Sequence, residues 1–426
     1  SNLAPRKHAG QRAHRARLFS PPLLAGSGQS TLGRRKRAVF PPGARGAMGG
    51  GAVVSEQAMR VAIDAYHALF HFGGVARYAR ELIGAFARAG GEERFVLFYN
   101  RFRERGAAWK PDDARFTLRQ FHCPRTLVDA LWGRLNWPPV EALCGPVDIF
   151  HGLHFVLPPA RRARLVLTVH DLAYLKHPEY YSDRALNDKG YKGELPRSLA
   201  RAAGVIASSA RTREDVIELL GFPAEGIKVV HLGVEPFFFE APSEADAEAV
   251  LARYGIVRPY LIFLVGSPEP RKNIARTARA ARRAARGRDL VILGERGRIA
   301  RFLEGGSEGA KLLGNVPKEH LPALLSRAAI SLYPSLYEGF GLPALESMAS
   351  SVPVIASDRG ALPEVTGGAA LQVNPESEDA IAEAIDAILA DEALARDLRE
   401  RGRARARAFT WEKTAAETLS FYKDLL

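Results

Sequence analysis

An α/β chain built from two doubly wound parallel-sheet domains is predicted by three observations. From Met59 onward, short apolar strands alternate with amphipathic helical stretches, the pattern of parallel sheets covered on both faces. The series runs to about His231 and restarts at Tyr260 after an acidic, helix-prone stretch from Ser243 to Tyr254. At 426 residues the chain is too long for one ordinary core, and about two to three domains fit its length.

In chain order, Arg60 to Asp64 reads as a strand, Gly73-Gly74 as a turn and Val75 to Ala89 as a helix. Further strands fall at Phe95 to Tyr99, Phe116 to Phe121, Val147 to His151, Leu165 to His170, Gly204 to Ala207 and Ile227 to His231. In the second series the strands are Tyr260 to Val265, Leu290 to Leu293, Lys311 to Leu313, Ala329 to Tyr333, Pro353 to Ala356 and Ala370 to Val373. A basic helix from about Asn273 to Ala285 lies among them. Helices from Ser377 to Ala408 and from Trp411 to Leu426 close the chain, with the break near Phe409 to Trp411 read as a bend. The division expected is 1–58, 59–240, 241–408 and 409–426, the first a disordered basic extension.

Charge is concentrated in that extension. The first 58 residues hold ten Lys and Arg against Glu56 and carry +9 of the net +13, and they lack hydrophobic periodicity. An organelle transit peptide and sequence upstream of a start at Met59 are both readings of such a segment. Nucleic-acid binding would rest on this charge alone, and no nucleic-acid partner is expected. The two cysteines, Cys123 and Cys144, make no disulfide framework, as in a reducing cytoplasm. No apolar run reaches the ~18 to 20 residues that span a bilayer.

The most informative stretch is Tyr333-Pro-Ser-Leu-Tyr-Glu-Gly-Phe-Gly-Leu-Pro-Ala-Leu-Glu346. A strand ends near Tyr333, the chain turns through Gly339 and Gly341, and a helix begins with Pro343 in its first position. The N–H groups of Phe340, Gly341 and Leu342 then face outward from a helix amino terminus, which binds phosphate. Glu338 and Glu346 bracket the turn. A carboxylate beside an anion is costly unless it accepts hydrogen bonds from neutral groups, and sugar hydroxyls are the natural donors. The arrangement implies a diphosphate flanked by two hydroxyl-rich rings; the plain alternative is two helix-start acids favoured by the dipole.

The Glu-x7-Glu spacing of Glu338 and Glu346 resembles the hallmark of the retaining glycosyltransferases of family 4, which have the GT-B fold: two Rossmann-like domains facing across a cleft. The resemblance covers nearly the whole chain after Met59. It implies that Glu338 holds the donor sugar, Glu346 the ribose hydroxyls, and Gly339, Phe340, Gly341 and Leu342 the phosphates. Gly266-Ser-Pro-Glu-Pro-Arg-Lys-Asn273 is similar to the family's diphosphate loop and places Arg271 and Lys272 there, although Ser267 stands where many members have arginine. Gly73 and Gly74 match a loop that closes over the diphosphate. His170, at a strand's carboxyl end, matches a histidine that faces the donor sugar, and Val316 opens a stretch like the family's base-contacting loop. By residue type alone, Arg271-Lys272 also reads as a solvated pair and His170 as a structural histidine.

The resemblance makes 59–240 the acceptor-side domain, 241–408 the donor domain and 409–426 a helix that packs back on the first. His151 and His154 are candidates for the acceptor side, as are Arg125, Trp132 and Trp137; Asp171 caps a turn or joins His170. No metal or other cofactor is implied, since neither the histidine pair nor any Asp-x-Asp motif completes a ligand set. The implied reaction transfers a hexose from a nucleoside-diphosphate sugar to a glycan or lipid-linked acceptor, with peripheral association at the inner membrane face. GDP-mannose is the favoured donor, with rhamnose or glucose as alternatives. A nucleotide-sugar epimerase on the same fold and a non-enzymatic basic binding protein are the rival readings.

Overall fold

The computed structural model describes residues 58–70, 73–100, 102, 109–181, 193–303 and 309–426. The basic extension up to residue 57 and the side chain of Arg125 lie outside the described residues.

Among the described residues thirteen strands form two sheets, and every pairing within them is parallel. The first sheet contains β1 (Arg60–Asp64), β2 (Arg94–Asn100), β3 (Phe116–Phe121), β4 (Ile149–Gly152), β5 (Arg164–Val169), β6 (Gly204–Ala207) and β7 (Ile227–Val229) in the order β3-β2-β1-β4-β5-β6-β7. The second contains β8 (Leu261–Gly266), β9 (Leu290–Gly294), β10 (Ala310–Gly314), β11 (Ile330–Tyr333), β12 (Val354–Ser357) and β13 (Leu371–Val373) in the order β10-β9-β8-β11-β12-β13. Both are doubly wound, as the alternation of strands and helices predicts.

This order decides where ligands can go. In each sheet the chain builds outward from the first strand and then returns to build on its other side, so β1/β4 and β8/β11 are switch points. The flanking loops part there, beyond the carboxyl ends of the strands, and leave a crevice. Gly73, His154, Arg271, Lys272 and Glu338 all stand on loops that follow one of these four strands.

Helices cover both faces of each sheet. The Gly74–Ala89 helix buries Tyr78, Ala79, Leu82, Ile83 and Phe86, whose spacing of three and four residues makes one continuous stripe. Gly73 precedes it at φ +102°, a conformation that a side chain strains, so glycine is required at this tight entry.

The carboxyl-terminal helices differ from the expected pattern at two points. The stretch from Ser377 to Ala408 is two helices, Glu378–Ala390 and Glu392–Ala406, because the Asp391 carboxylate accepts from Ala393 N (2.9 Å) and Leu394 N (3.0 Å) and starts a new helix. The break at Phe409 is likewise an end and not a bend. Thr410 caps the Trp411–Asp424 helix by accepting from Lys413 N at 3.1 Å.

That last helix lies against the Gly74–Ala89 helix of the first sheet. Trp411 is 1 % exposed with its ring 6.1 Å from that of Tyr78, and Tyr422 is fully buried beside Phe86. Where the chain crosses between the halves and returns, the two passages are tied by Val234 N–H to Phe409 O at 3.0 Å. Among the described residues no helix is long and apolar enough to cross a membrane. Replacement of Trp411 by Ala is expected to cost about 3–5 kcal/mol through the cavity it leaves, read as a lower urea midpoint. A midpoint equal to wild type would show that this helix is not seated in the core.

Candidate functional site

The loop after β11 carries Glu338, and the loop after β8 carries Arg271 and Lys272. The two loops are joined by Leu336 N–H to Arg271 O at 2.7 Å. Lys272 Nζ lies 2.7 Å from Glu338 Oε1 and Arg271 Nη1 lies 2.8 Å from Oε2, so each cation holds one carboxylate oxygen. Arg271 Nε also donates to Glu269 at 2.7 Å, and Lys272 Nζ donates to the Tyr333 hydroxyl at 3.0 Å.

Glu338 and Lys272 are buried, 6 % and 7 % exposed. Burial pushes the Glu338 carboxyl up, but the charges of Lys272 and Arg271 outweigh it and hold the group at about 2. Burial pulls the Lys272 ammonium down against the opposing pull of Glu338. Burial also works against the charge on Arg271, yet Glu338, Asp171 and Glu269 keep its guanidinium well above its usual value.

Glu346 sits in the Leu342–Ala349 helix, 2 % exposed. That helix begins one residue before Pro343, which takes its second position and not the first as the sequence suggests, after Gly341 at φ +110°. Glu346 accepts from Arg77 of the Gly74–Ala89 helix, across the cleft. Arg77 also pairs with Glu235 of the connecting segment. Lys318, two residues beyond Val316, lies 2.6 Å from Glu235 and 3.3 Å from Glu81. Burial raises the Glu235 carboxyl, and its bonds to Arg77 and Lys318 bring it below its ordinary value. The half-buried Val316 thus leads into a turn that reaches this charge cluster.

At Gly339 the backbones of the two halves approach closely. A Cβ there would stand 2.2 Å from His170 O and 2.5 Å from Asp171 Cβ. Its carbonyl accepts from Ser209 Oγ (2.7 Å), Ser208 Oγ (3.0 Å) and Thr212 Oγ1 (3.2 Å), all following β6. On either side Tyr337 donates its hydroxyl to Asp215, and the Glu364 carboxylate accepts from Ala210 N at 2.9 Å and meets His231 Nε2 at 2.6 Å.

His170 and Asp171 therefore lie against the Glu338 loop. His170 Nε2 is 3.1 Å from Leu153 O, an acceptor, so this nitrogen carries the proton, and burial lowers the imidazole's pKa. The Tyr78 ring meets it edge-on at 4.7 Å. Asp171 accepts from Ala173 N at 3.0 Å, the capping role weighed for it.

The expectation for His151 is corrected. This residue is fully buried, with Nε2 2.7 Å from Thr168 Oγ1 and Nδ1 bonded to the Tyr422 hydroxyl, and burial pushes its pKa down to about 3. It is a structural link to the last helix and does not line the acceptor side. His154 and Trp132 do line a cavity of about 140 Å³ beyond the ends of β1, β2 and β4, with Asp64, Tyr66, His67 and Asn100, whereas Trp137 is exposed at the surface. Among the described residues no three His, Cys, Asp or Glu side chains converge as metal ligands would.

Residue type alone does not single out Arg77, Glu235, Lys318, Ser208, Ser209 or Thr212. Arg77 lies one turn past Gly73-Gly74, and its position in that helix is the only mark it carries in the sequence.

Two facing doubly wound sheets with charged loops on their opposed carboxyl edges define the GT-B fold. The sequence matches "Glycosyltransferase Family 4" over residues 72–238 and "Glycosyl transferases group 1" over residues 248–405. It is 36 % identical over 288 residues to O-antigen chain mannosyltransferase B of Escherichia coli, covering 65 % of this chain and 74 % of that one. It is 31 % identical to the MMP alpha-(1->4)-mannosyltransferase of Mycolicibacterium hassiacum, covering 55 % of this chain and 57 % of that one. The structure superposes on sucrose-phosphate synthase of Thermosynechococcus elongatus with a TM-score of 0.67 at 24 % identity, covering 86 % of this chain and 99 % of that one. The chain belongs to the group 1, family 4 glycosyltransferases.

Two outcomes follow from the geometry. Gly339→Ala forces its Cβ onto the His170 carbonyl, so the halves should part, giving a larger radius of gyration by X-ray scattering; an unchanged radius would disprove the close approach. The Glu338 carboxyl is depressed from an ordinary 4.5 to about 2, so the stability it contributes is present above pH ~4.5 and lost as pH falls toward 2. Urea midpoints measured from pH 6 to 2.5 should fall more steeply in wild type than in Glu338→Gln. Parallel curves would show that Glu338 is not held ionised.

Proposed function

We propose that the protein transfers mannose from GDP-mannose to a hydroxyl of a glycan or lipid-linked acceptor, with retention at the anomeric carbon. The observation that carries this reading is the meeting of Arg271, Lys272 and Glu338 at the β8/β11 switch point, opposite the Gly73 turn and His170. Mannose is favoured because the two curated relatives described above, 36 % and 31 % identical, are both named mannosyltransferases.

In this reading the donor diphosphate takes Arg271 and Lys272 as its counter-charges, together with the amides of Gly339, Phe340, Gly341 and Leu342 and those of Gly73 and Gly74. Glu338, released from its two cations, accepts from hydroxyls of the sugar. Glu346 exchanges Arg77 for the ribose hydroxyls, and the backbone beyond Val316 lies along the base. The bond from the anomeric carbon to the phosphate oxygen breaks as the acceptor oxygen bonds to the same face. The acceptor proton passes to the departing phosphate, so the protein need supply no covalent nucleophile. Charge grows on that phosphate, and preorganised cations and amides lower the barrier by stabilising it. Two cations on one loop meet this need without a metal ion. His170, neutral with its proton on Nε2, lies beside the reacting sugar.

The acceptor enters over the cavity edged by Asp64, His67 and His154. The enzyme works in the cytoplasm and meets the membrane face where a lipid-linked acceptor presents its glycan.

A thermal-shift panel of GDP, UDP, dTDP and ADP with their sugars should single out GDP and GDP-mannose, because a ligand that binds only the folded state raises its melting temperature. Selective stabilisation by another nucleotide would overturn the donor assignment. Glu338→Ala and Lys272→Ala should each lower transfer of radiolabelled mannose by at least about a hundredfold, in the range found when a charge-stabilising group is removed, while both variants remain folded by circular dichroism. Wild-type rates in both would refute the assigned roles.

A further inference from the structure

Tyr337 lies between the two halves with its hydroxyl and its carbonyl held from different sides. The hydroxyl donates to Asp215, in the Ala210–Leu220 helix that follows β6 of the first sheet. The carbonyl accepts from Arg271 Nη1 at 3.2 Å, and the same nitrogen reaches Glu338 Oε2 at 2.8 Å. The ring is buried and meets that of His177, a residue beyond β5 of the first sheet, with 5.4 Å between centroids. One residue thus ties the first half to Arg271 and, along the chain, to Glu338.

Asp215 does not need this bond in order to be buried. It has no exposed surface, and Arg211 of its own helix and Lys176 beyond β5, the latter at 3.4 Å, already bring it opposite charge. A carboxylate inside a protein must be paired, and these two cations of the first half meet that need. The Tyr337 hydroxyl comes to it from the other half. Burial, and then the bond to Asp215, raise the pKa of that hydroxyl, so it stays a donor.

Adhesion between the halves is the plain alternative role for this bond. Ser208, Ser209 and Thr212 already supply adhesion at Gly339 O. Tyr337 differs in what its displacement moves: its carbonyl is a partner of Arg271, and its peptide bond leads directly into Glu338. A misplacement of about 1 Å near reacting groups can cost roughly a hundredfold in rate.

Resting on the reading of Arg271 and Glu338 as donor-binding groups, we infer that Tyr337 and Asp215 are a positioning pair whose bond, made when the halves are seated together, sets Arg271 and Glu338 in the geometry in which transfer occurs. Both act through those two side chains and have no contact of their own with the donor. When the halves part, the second half still holds the nucleotide sugar, but Tyr337 is released and the arrangement relaxes.

Steady-state release of GDP from GDP-mannose, with methyl α-mannoside supplying acceptor hydroxyls, tests the pair. Tyr337→Phe keeps the ring against His177 and leaves Asp215 its two cations, so the melting temperature without ligand should be unchanged. Its kcat should fall about tenfold, the effect of losing one hydrogen bond to a charged group. KM for the donor should change less than about twofold, because an interaction made only on the way to the transition state lowers kcat and kcat/KM together. Asp215→Ala leaves Arg211 and Lys176 with Glu214 and Glu218 as partners; it should show the same fall, and the double variant no further one. Asp215→Asn keeps an acceptor for the hydroxyl and should recover most of the lost rate. Wild-type kcat in Tyr337→Phe refutes the pair whether or not the Asp215 variants fold, and so does a tenfold rise in KM at unchanged kcat. A roughly hundredfold fall in the double variant would show two independent effects and also refute it. Wild-type kcat in Glu338→Ala would instead remove the reading of the site, and the pair with it.

Discussion

A carboxylate taken from water into a protein interior is stabilised only if opposite charge and hydrogen bonds replace its hydration. Glu338 meets that condition through Arg271 and Lys272, and the rest of the cleft is arranged around the result. Its loop must lie against the loop after β8, which brings the ends of β8 and β11 together and fixes where Gly339 and the following helix start. While it is paired with these two cations the carboxylate is ionised, an acceptor only, over the whole physiological range.

The same loop also serves as the contact through which the two sheets hold each other. Gly339 O is reached by three hydroxyls, Tyr337 bonds to Asp215, and Glu364 bonds to Ala210 N and His231 within a short distance along the chain. Glu346 and Arg77 add an ion pair across the cleft, and Glu235 on the connecting segment shares Arg77. Proposed donor-binding groups and interdomain contacts are thus partly the same atoms. A ligand that takes Arg77 from Glu346 changes how tightly the halves are joined, which couples its binding to domain movement.

Much of this fold is legible in the sequence because parallel strands carry continuous apolar runs bounded by glycine, proline or charge. Gly204–Ala207 stands where those boundaries place it, whereas Phe116–Phe121 is an edge strand whose run is interrupted by Thr117, Arg119 and Gln120. The Glu338–Glu346 segment stood out for another reason, a turn into a helix start bracketed by two acids, whereas Arg271-Lys272 also reads as a solvated pair by residue type and was placed by the family resemblance alone. Side-chain direction was less accessible. All four residues of β4 are buried, since both faces of the sheet are covered, so periodicity could not show that His151 points into the core and away from the cleft. Partners far apart in sequence were not legible either. Arg77 and Glu346 are 269 residues apart, and each alone reads as an ordinary helix charge. The division at Asp391 was missed because a helix-capping aspartate and a surface aspartate look alike until the backbone N–H groups beside it are placed.

The Trp411–Asp424 helix has a consequence for how the molecule is made. Its Trp411, Phe421 and Tyr422 complete the packing around the first sheet, through the Tyr422 hydroxyl on His151 and the Phe421 ring against Gly204. During synthesis the first sheet leaves the ribosome before the second, and the side chains that seal it follow only after the second sheet has been made. The amino-terminal half must therefore persist with an open apolar surface until the second half has been made, a period in which chaperones would be needed and aggregation is the hazard. For the same reason the first half made alone would leave uncovered the apolar surface that Trp411, Phe421 and Tyr422 bury, although its sheet is complete.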